Sequence, residues 1–295
     1  MPSVIQGVSK RGLIRPPHYV AECTQYEVLM GSMAYGVSGG DSDWDVYGFC
    51  IPNKDLIFPH LKGEIAGFGR QVERFEQFQQ HHVQDKEAGK EYDFQIFNIV
   101  KFFSLVMDNN PNMVDALFVP QRCILHSTSI GNMVREKRHM FLHKGAWHRF
   151  KGYSYSQMHK MRIKNPEGKR KAMVEEFGYD LKFAYHVVRL LNEVEMILTE
   201  HDIDLERNAE QLKSIRRGEW TMRQIEDYFQ TKEKALEEVY AKSTLRHKPD
   251  ETAIKALLFD CLEEYFGSIG DAISRPNREQ ELIGEIEAVL RRFSK

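Results

Sequence analysis

The chain lacks most of the features that would settle its class at a glance. Only four cysteines occur among 295 residues, Cys23, Cys50, Cys123 and Cys261, and no two of them form a Cys-x-x-Cys pair. That spacing excludes a zinc ribbon and gives no reason to draw disulfides, so a reducing, cytoplasmic setting is expected. Nowhere does an apolar run approach the roughly 20 residues of a membrane span. The opening "MPSVIQGVSKRGLIRPPHYV" has no long apolar core of the secretory kind, and a soluble protein is expected. Internal repeats and low-complexity tracts are absent as well. Net charge is nearly so, at -2.

What is present is enough apolar material, 42% of residues, for one large domain or two ordinary ones. The near-zero net charge hides an asymmetry. Residues 135–171 hold twelve Lys or Arg against only Glu136 and Glu167, so this stretch is +10 and the remainder -12. Such a distribution is the usual footprint of a polyanion partner. Trp147, Phe150, Tyr153 and Tyr155 are interleaved with the basic residues, as stacking on a single-stranded nucleic acid would require. The competing reading is a solvated surface between two helices.

Periodicity divides the chain. From about residue 20 to 120, short apolar runs bounded by Gly, Pro and Asp indicate mixed strand and helix. "YEVLM" and "WDVYGFCI" read as strands. "RFEQFQQHHV" and "EYDFQIFNI" flank the polar turn "QDKEAGK" and predict a hairpin, in which His81 and His82 point to opposite faces and cannot chelate together. "VKFFSLVMD" predicts a helix, and Asn110 with Pro111 predicts the start of the next. Beyond about 130 the pattern turns helical, over "KAMVEEFGYDLKFAYHVVRLLNEVEMILTE", "MRQIEDYFQTKEKALEEVYAK" and "KALLFDCLEEYFGSIGDAI". The expected architecture is α+β, with a small mixed sheet and helices over residues 1–125 and an α-helical bundle over residues 126–295.

The chemistry is concentrated in "VLMGSMAYGVSGGDSDWDVYGFCIP", residues 28–52. In an extended strand Asp43 and Asp45 project from one face while Trp44 and Val46 face the other. Two carboxylates held side by side repel unless a cation lies between them, and all-oxygen ligation favours Mg²⁺, with Mn²⁺ as an alternative. Gly31 allows close backbone approach, and if "SMAYGV" opens a helix, its free N–H groups and the Ser32 hydroxyl face a triphosphate. Nucleotidyl transfer uses two metal ions, which calls for a third carboxylate. Asp93, in the hairpin strand able to pair beside Asp43 and Asp45, is the first choice and Glu91 the fallback. Lys182, His186 and Arg189 recur at spacings of four and three and share one helix face, suited to closing the cleft over phosphates or base. Asp115 already has a reason to lie near a helix N-terminus and is left outside the catalytic set.

"GSMAYGVSGGDSDWDVYG" resembles the G-S-x-x-x-G … S-D-x-D pattern of the DNA polymerase β-like nucleotidyltransferase superfamily. With "DFQIFNIVKFFSLVMDNNPNMVDALF" and "YDLKFAYHVVRLL", it resembles the predicted nucleotidyltransferases of RlaP type that are associated with RNA ligases, over most of residues 26–245. The resemblance implies phosphate binding by Gly31 and Ser32 and metal binding by Asp43, Asp45 and Asp93. It also implies a helical C-terminal region. One departure stands out: after Gly-Ser such proteins commonly carry a basic or ring-bearing polar residue, and here it is Met33. The function expected is transfer of a nucleoside monophosphate from an NTP, ATP first, to an acceptor hydroxyl such as an RNA end. The alternatives are a non-catalytic nucleotide- or RNA-binding module on the same fold, and a transferase that modifies a protein or a small molecule.

Overall fold

The computed structural model describes residues 2–39, 43–65, 68–69, 74–163, 169–267 and 286. The N-terminal part runs α1 (Val4–Lys10), α2 (His18–Cys23), β1 (Thr24–Leu29), β2 (Trp44–Cys50), α3 (Lys54–Ile57), β3 (Gln77–Asp85), β4 (Lys90–Asn98), α4 (Ile99–Met107), α5 (Pro111–Phe118) and β5 (Ile124–Ser127). The chain then continues as α6 (Ser129–Glu136), α7 (Ala146–Ile163), α8 (Lys169–Phe177), α9 (Leu181–Glu200), α10 (Ala209–Arg216), α11 (Met222–Lys242) and α12 (Glu251–Phe266). This is the expected α+β arrangement. β5 straddles the 125/126 division expected from the sequence. No helix among the described residues is long and apolar enough to cross a membrane. The four cysteines are free and buried.

The five strands lie in the order β3-β4-β2-β1-β5, with β2 and β4 parallel and the other neighbours antiparallel. All six residues of β1 are buried, because both faces of the sheet are covered at that strand. Its one acid, Glu27, is accommodated by accepting the Val4 amide at 2.6 Å, the Ile5 amide at 3.3 Å and the Ser3 hydroxyl, so it secures the start of α1. β3 is the polar sheet edge, rich in glutamine and largely exposed.

Alternation along the strands sorts two cores. Val46, Cys50, Tyr92, Phe94 and Ile96 pack on one face with Ile5, Val8, Ile14 and Val20. Tyr26, Val28, Phe49 and Phe97 pack on the other with the helices, in a cluster that continues as far as Leu262. Asp45, Tyr47 and Phe49 share the second face with Asp93 and Phe97. The carboxylates therefore stand on the side of the sheet that the helical part covers. Gly48 lets β1 approach β2 closely: a Cβ there would lie 1.9 Å from the Tyr26 carbonyl oxygen.

The long helical pattern of residues 171–200 is two helices. Gly178 adopts a left-handed φ of 80° and ends α8, and Asp180 caps α9 by accepting the amides of Lys182 at 2.9 Å and Phe183 at 3.3 Å. The last pattern forms α12 as far as Phe266, and its continuation through residues 268–273 lies outside the described residues.

Candidate active site

Parallel pairing of β2 with β4 sets Asp45 directly opposite Asp93. Both carboxylates, with Asp43 just before β2, line one cavity of about 530 Å³, together with Gly31 and Ser32. Met30 donates its amide to the Asp45 carbonyl at 2.7 Å, which brings the end of β1 to the start of β2 and sets the Gly-Ser turn beside the aspartates. The approach is close enough to demand glycine. Gly31 has φ of 64°, and a Cβ on it would fall 2.0 Å from Asp45 Oδ2.

The condition that "SMAYGV" opens a helix is not met. Gly31–Met33 make a single 3₁₀ turn, closed by Ala34 N–H to Gly31 O at 3.1 Å and Val37 N–H to Ser32 O at 2.9 Å. The left-handed Gly31 and Gly36 bracket the segment, so an α-helix has no room to develop. Gly31 and Ser32 thus line the cavity from a tight turn, without a helix dipole behind them.

Asp45 is driven towards protonation. Burial and, after it, the neighbouring Asp93 charge push its carboxyl up to about 6; Lys182 opposes the rise, and Asp43 adds to it. A carboxylate with that surplus of negative neighbours is one that a divalent cation would relieve. The donor set of Asp43, Asp45 and Asp93, all oxygen, fits Mg²⁺ or Mn²⁺. No group of three or more His, Cys, Asp or Glu among the described residues stands ready-made around one ion. Ions at this site would therefore complete their shells from substrate phosphates and water, as Mg²⁺ commonly does.

Asp93 is oriented by a β-bulge. The β3–β4 register slips between Gln80 and Val83, and His82 takes a φ of 56°, unusual for a residue with a side chain. The slip aims the His82 amide at Asp93 Oδ1, at 2.8 Å, and places His81 Nδ1 3.2 Å from Oδ2. His82 Nδ1 lies 2.7 Å from Glu91 Oε1. Both histidines are exposed, as expected of a hairpin, yet they do not diverge as regular strand geometry would require. The pairing with His82 and Gln84 occupies Glu91, which is not among the cavity's residues.

On the facing wall α9 presents Lys182 and His186 to the cavity. Burial, reinforced by Arg189 and Lys182, holds the His186 imidazole well below its ordinary range, so it is neutral. Arg189 does not reach the cavity. Its Nη1 lies 2.5 Å from Asp115 Oδ2 and 3.2 Å from Glu193 Oε1, and its guanidinium stacks over the Tyr35 ring at 4.3 Å. Helical spacing correctly put Arg189 on the face of Lys182, but seven residues at 1.5 Å each carry it about 10 Å further along the axis. Asp115 is therefore the buried counter-ion of Arg189, a role no local pattern announced. Tyr35 donates its hydroxyl to Asp115 at 2.7 Å, which ties the Gly-Ser turn to this buried network.

Tyr185, Asn112 and Arg216 also line the cavity and were not anticipated. Arg216 closes α10, in "SIRRGEW", where a helix-terminal arginine carries no distinctive signal.

Among the described residues of the basic stretch 135–171, most cations have partners within the chain. Lys151 pairs with Glu233 at 2.7 Å and Glu237 at 3.1 Å, Arg162 with Glu226 at 2.7 Å, and Arg149 with Asp108 at 2.9 Å. Lys137 pairs with Asp260 at 3.4 Å, and Arg135 donates to the carbonyls of Leu117 at 2.8 Å and Val119 at 2.6 Å. Trp147 and Phe150 are core residues; Tyr153, Lys160 and Tyr155, which packs edge-on against Phe229, remain on the surface.

Adjacent parallel strands with carboxylates in register, facing a Gly-Ser turn, define a polymerase β-like protein. The chain belongs to RlaP, the RNA repair pathway DNA polymerase beta family, whose sequence model matches residues 21–260. That membership suggests a nucleotidyltransferase role in RNA repair. No curated protein and no solved structure matches the chain.

Proposed function

We propose that the chain transfers a nucleoside monophosphate from an NTP, ATP first, to the hydroxyl of an RNA end, with pyrophosphate released. The observation that carries this reading is the pairing of Asp45 with Asp93 on neighbouring strands, in one cavity with Asp43 and the Gly31–Ser32 turn. Asp43 and Asp45 would hold two Mg²⁺ ions, and Asp93 would complete the inner site. When bound, such ions lower the pKa of the attacking hydroxyl and offset charge on the leaving pyrophosphate. The chain's own part is orientation. The Ser32 hydroxyl and the turn amides bind phosphate, Lys182 adds a point charge from α9, and neutral His186 offers a hydrogen bond without attracting a second anion. His82 holds Asp93 in place through its backbone.

The test is incubation of the protein with labelled NTPs, Mg²⁺ and RNA of defined ends. RNA should gain one or more nucleotides, and Asp45→Asn should lower the rate by on the order of 10³-fold, because it removes a ligand of the ions that offset the developing charge. Transfer to a protein or small molecule in place of RNA would remove the RNA part of the proposal. A second reading, a non-catalytic nucleotide- or RNA-binding module, draws on the absence of a ready-made three-ligand cluster among the described residues. Its signature is metal-free nucleotide binding that survives Asp43→Asn and Asp45→Asn.

A further inference from the structure

A triphosphate tail requires cations and hydrogen-bond donors beyond a single serine, and the Gly-Ser turn supplies no cation. Met33, the residue after Ser32, packs against the main core cluster instead of lining the cavity. Among the described lining residues the cationic side chains are Lys182 and Arg216.

Arg216 differs from the other arginines near the site. Arg122 is engaged by Glu206 at 2.6 Å, and Arg189 by Asp115 and Glu193. Arg216 has no carboxylate partner among the described residues. Its Nη1 donates to the Val37 carbonyl at 2.7 Å, and Val37 closes the turn that Gly31 and Ser32 begin. The guanidinium is thereby anchored at the far end of the phosphate-binding turn, with most of its N–H groups uncommitted.

Tyr185 supplies an independent observation. Its side chain lines the cavity and is only 5% exposed, yet its buried hydroxyl has no hydrogen-bond partner. A buried hydroxyl without a partner is costly, and a ligand acceptor oxygen that reached it would remove that cost. Burial raises the pKa of the phenol, so it stays protonated and can donate to an anion. Its ring lies 6.0 Å from the Arg216 guanidinium carbon, and the two groups converge on one part of the cavity wall.

We infer that Arg216 and Tyr185, supplied by α10 and α9, form the subsite that grips the terminal phosphate of the nucleotide and selects triphosphates over shorter nucleotides. This inference rests on the nucleotidyltransferase reading. It makes the helical part of the chain a contributor to substrate selection as well as a cover for the sheet. Asp43, Asp45 and Asp93 line the same cavity, so the tail would run from them towards α10.

The test is calorimetric titration of the full chain, with Mg²⁺, against ATP, ADP, AMP and inorganic tripolyphosphate, for the wild type, Arg216→Gln and Tyr185→Phe. Arg216→Gln should weaken ATP and tripolyphosphate binding by on the order of 10-fold and AMP by less than about 2-fold, because only the tail loses a partner. Tyr185→Phe keeps the ring and should weaken ATP by roughly 3- to 10-fold with AMP unchanged. In transfer assays both variants should raise the KM for NTP more than they lower kcat. Equal losses for ATP and AMP, or unchanged ATP affinity in Arg216→Gln while the wild type binds and transfers normally, would overturn this inference alone. A wild type that binds no nucleotide would overturn the functional reading together with it.

Discussion

At the scale of single residues, Asp45 joins most of the constraints. Its carbonyl fixes the Gly-Ser turn, its carboxylate fills the space that Gly31 leaves open, and its partner across the ladder is Asp93. Its carboxyl is raised from 3.8 to about 6, first by burial and then by Asp93. In metal-free protein the folded state thus retains a proton that the unfolded chain releases, and stability declines as pH rises from about 4 through about 6. Thermal melts should show that decline, with Asp45→Asn flattening it and gaining roughly 2 kcal/mol at pH 7 relative to the parent. Mg²⁺ should stabilise the parent at pH 7 and have little effect on the variant. Most of these residues were legible in the sequence, because glycine, serine and paired aspartates at this spacing have few other uses. Tyr185 and Arg216 were not, since a tyrosine beside a histidine and an arginine at a helix end are common everywhere.

At the scale of elements, the β3–β4 hairpin shows where pattern reading succeeds and where it stops. Two runs of strand-forming residues around a polar turn predicted it, and it forms, with Gly89 left-handed in the turn. The slip at His81 and His82 was not legible, because a bulge adds one residue without disturbing composition. At His82 the contact to Asp93 is made by the backbone N–H at a positive φ, not by the imidazole. His82→Gly should keep the amide, relieve the unfavourable conformation and leave transfer activity within about 3-fold of the parent. His82→Pro removes the N–H and cannot adopt φ of 56°, so activity should fall by on the order of 10²-fold. Equal activities for the two would show that the Asp93 contact has no role. The α8–α9 break and the depth of Arg189 teach the same lesson. Helical period reports which face a side chain occupies, while Gly178 and the limited length of the cavity determine where along the axis it counts.

At the scale of the whole molecule, the charge asymmetry changes meaning. The basic stretch at residues 135–171 looks like a polyanion track in one dimension, but α11 and α12 return acidic residues against it, among them Glu226, Glu233 and Asp260. Exposed pairs of this kind contribute little stability, yet they do neutralise the surface. RNA binding should therefore depend only mildly on salt: with about two or three phosphates contacted, log Kd against log salt should have a slope near roughly 2. A slope several times steeper would mean that the internal pairs open to release their cations.

Local rules were enough to determine the α+β class, most of the strands and helices, and the acidic and Gly-Ser motifs proposed to carry the chemistry. Turn formation, alternation and steric demand act over a few residues and so leave their record in short stretches of chain. Tertiary structure alone decided which charges meet. Asp115 finds Arg189 across 74 residues, Arg216 finds the Val37 carbonyl across 179, and the basic helix α7 finds its acids on α11. Coulomb attraction and burial depend on distance in space, and no local pattern encodes which distant residue will lie within 3 or 4 Å.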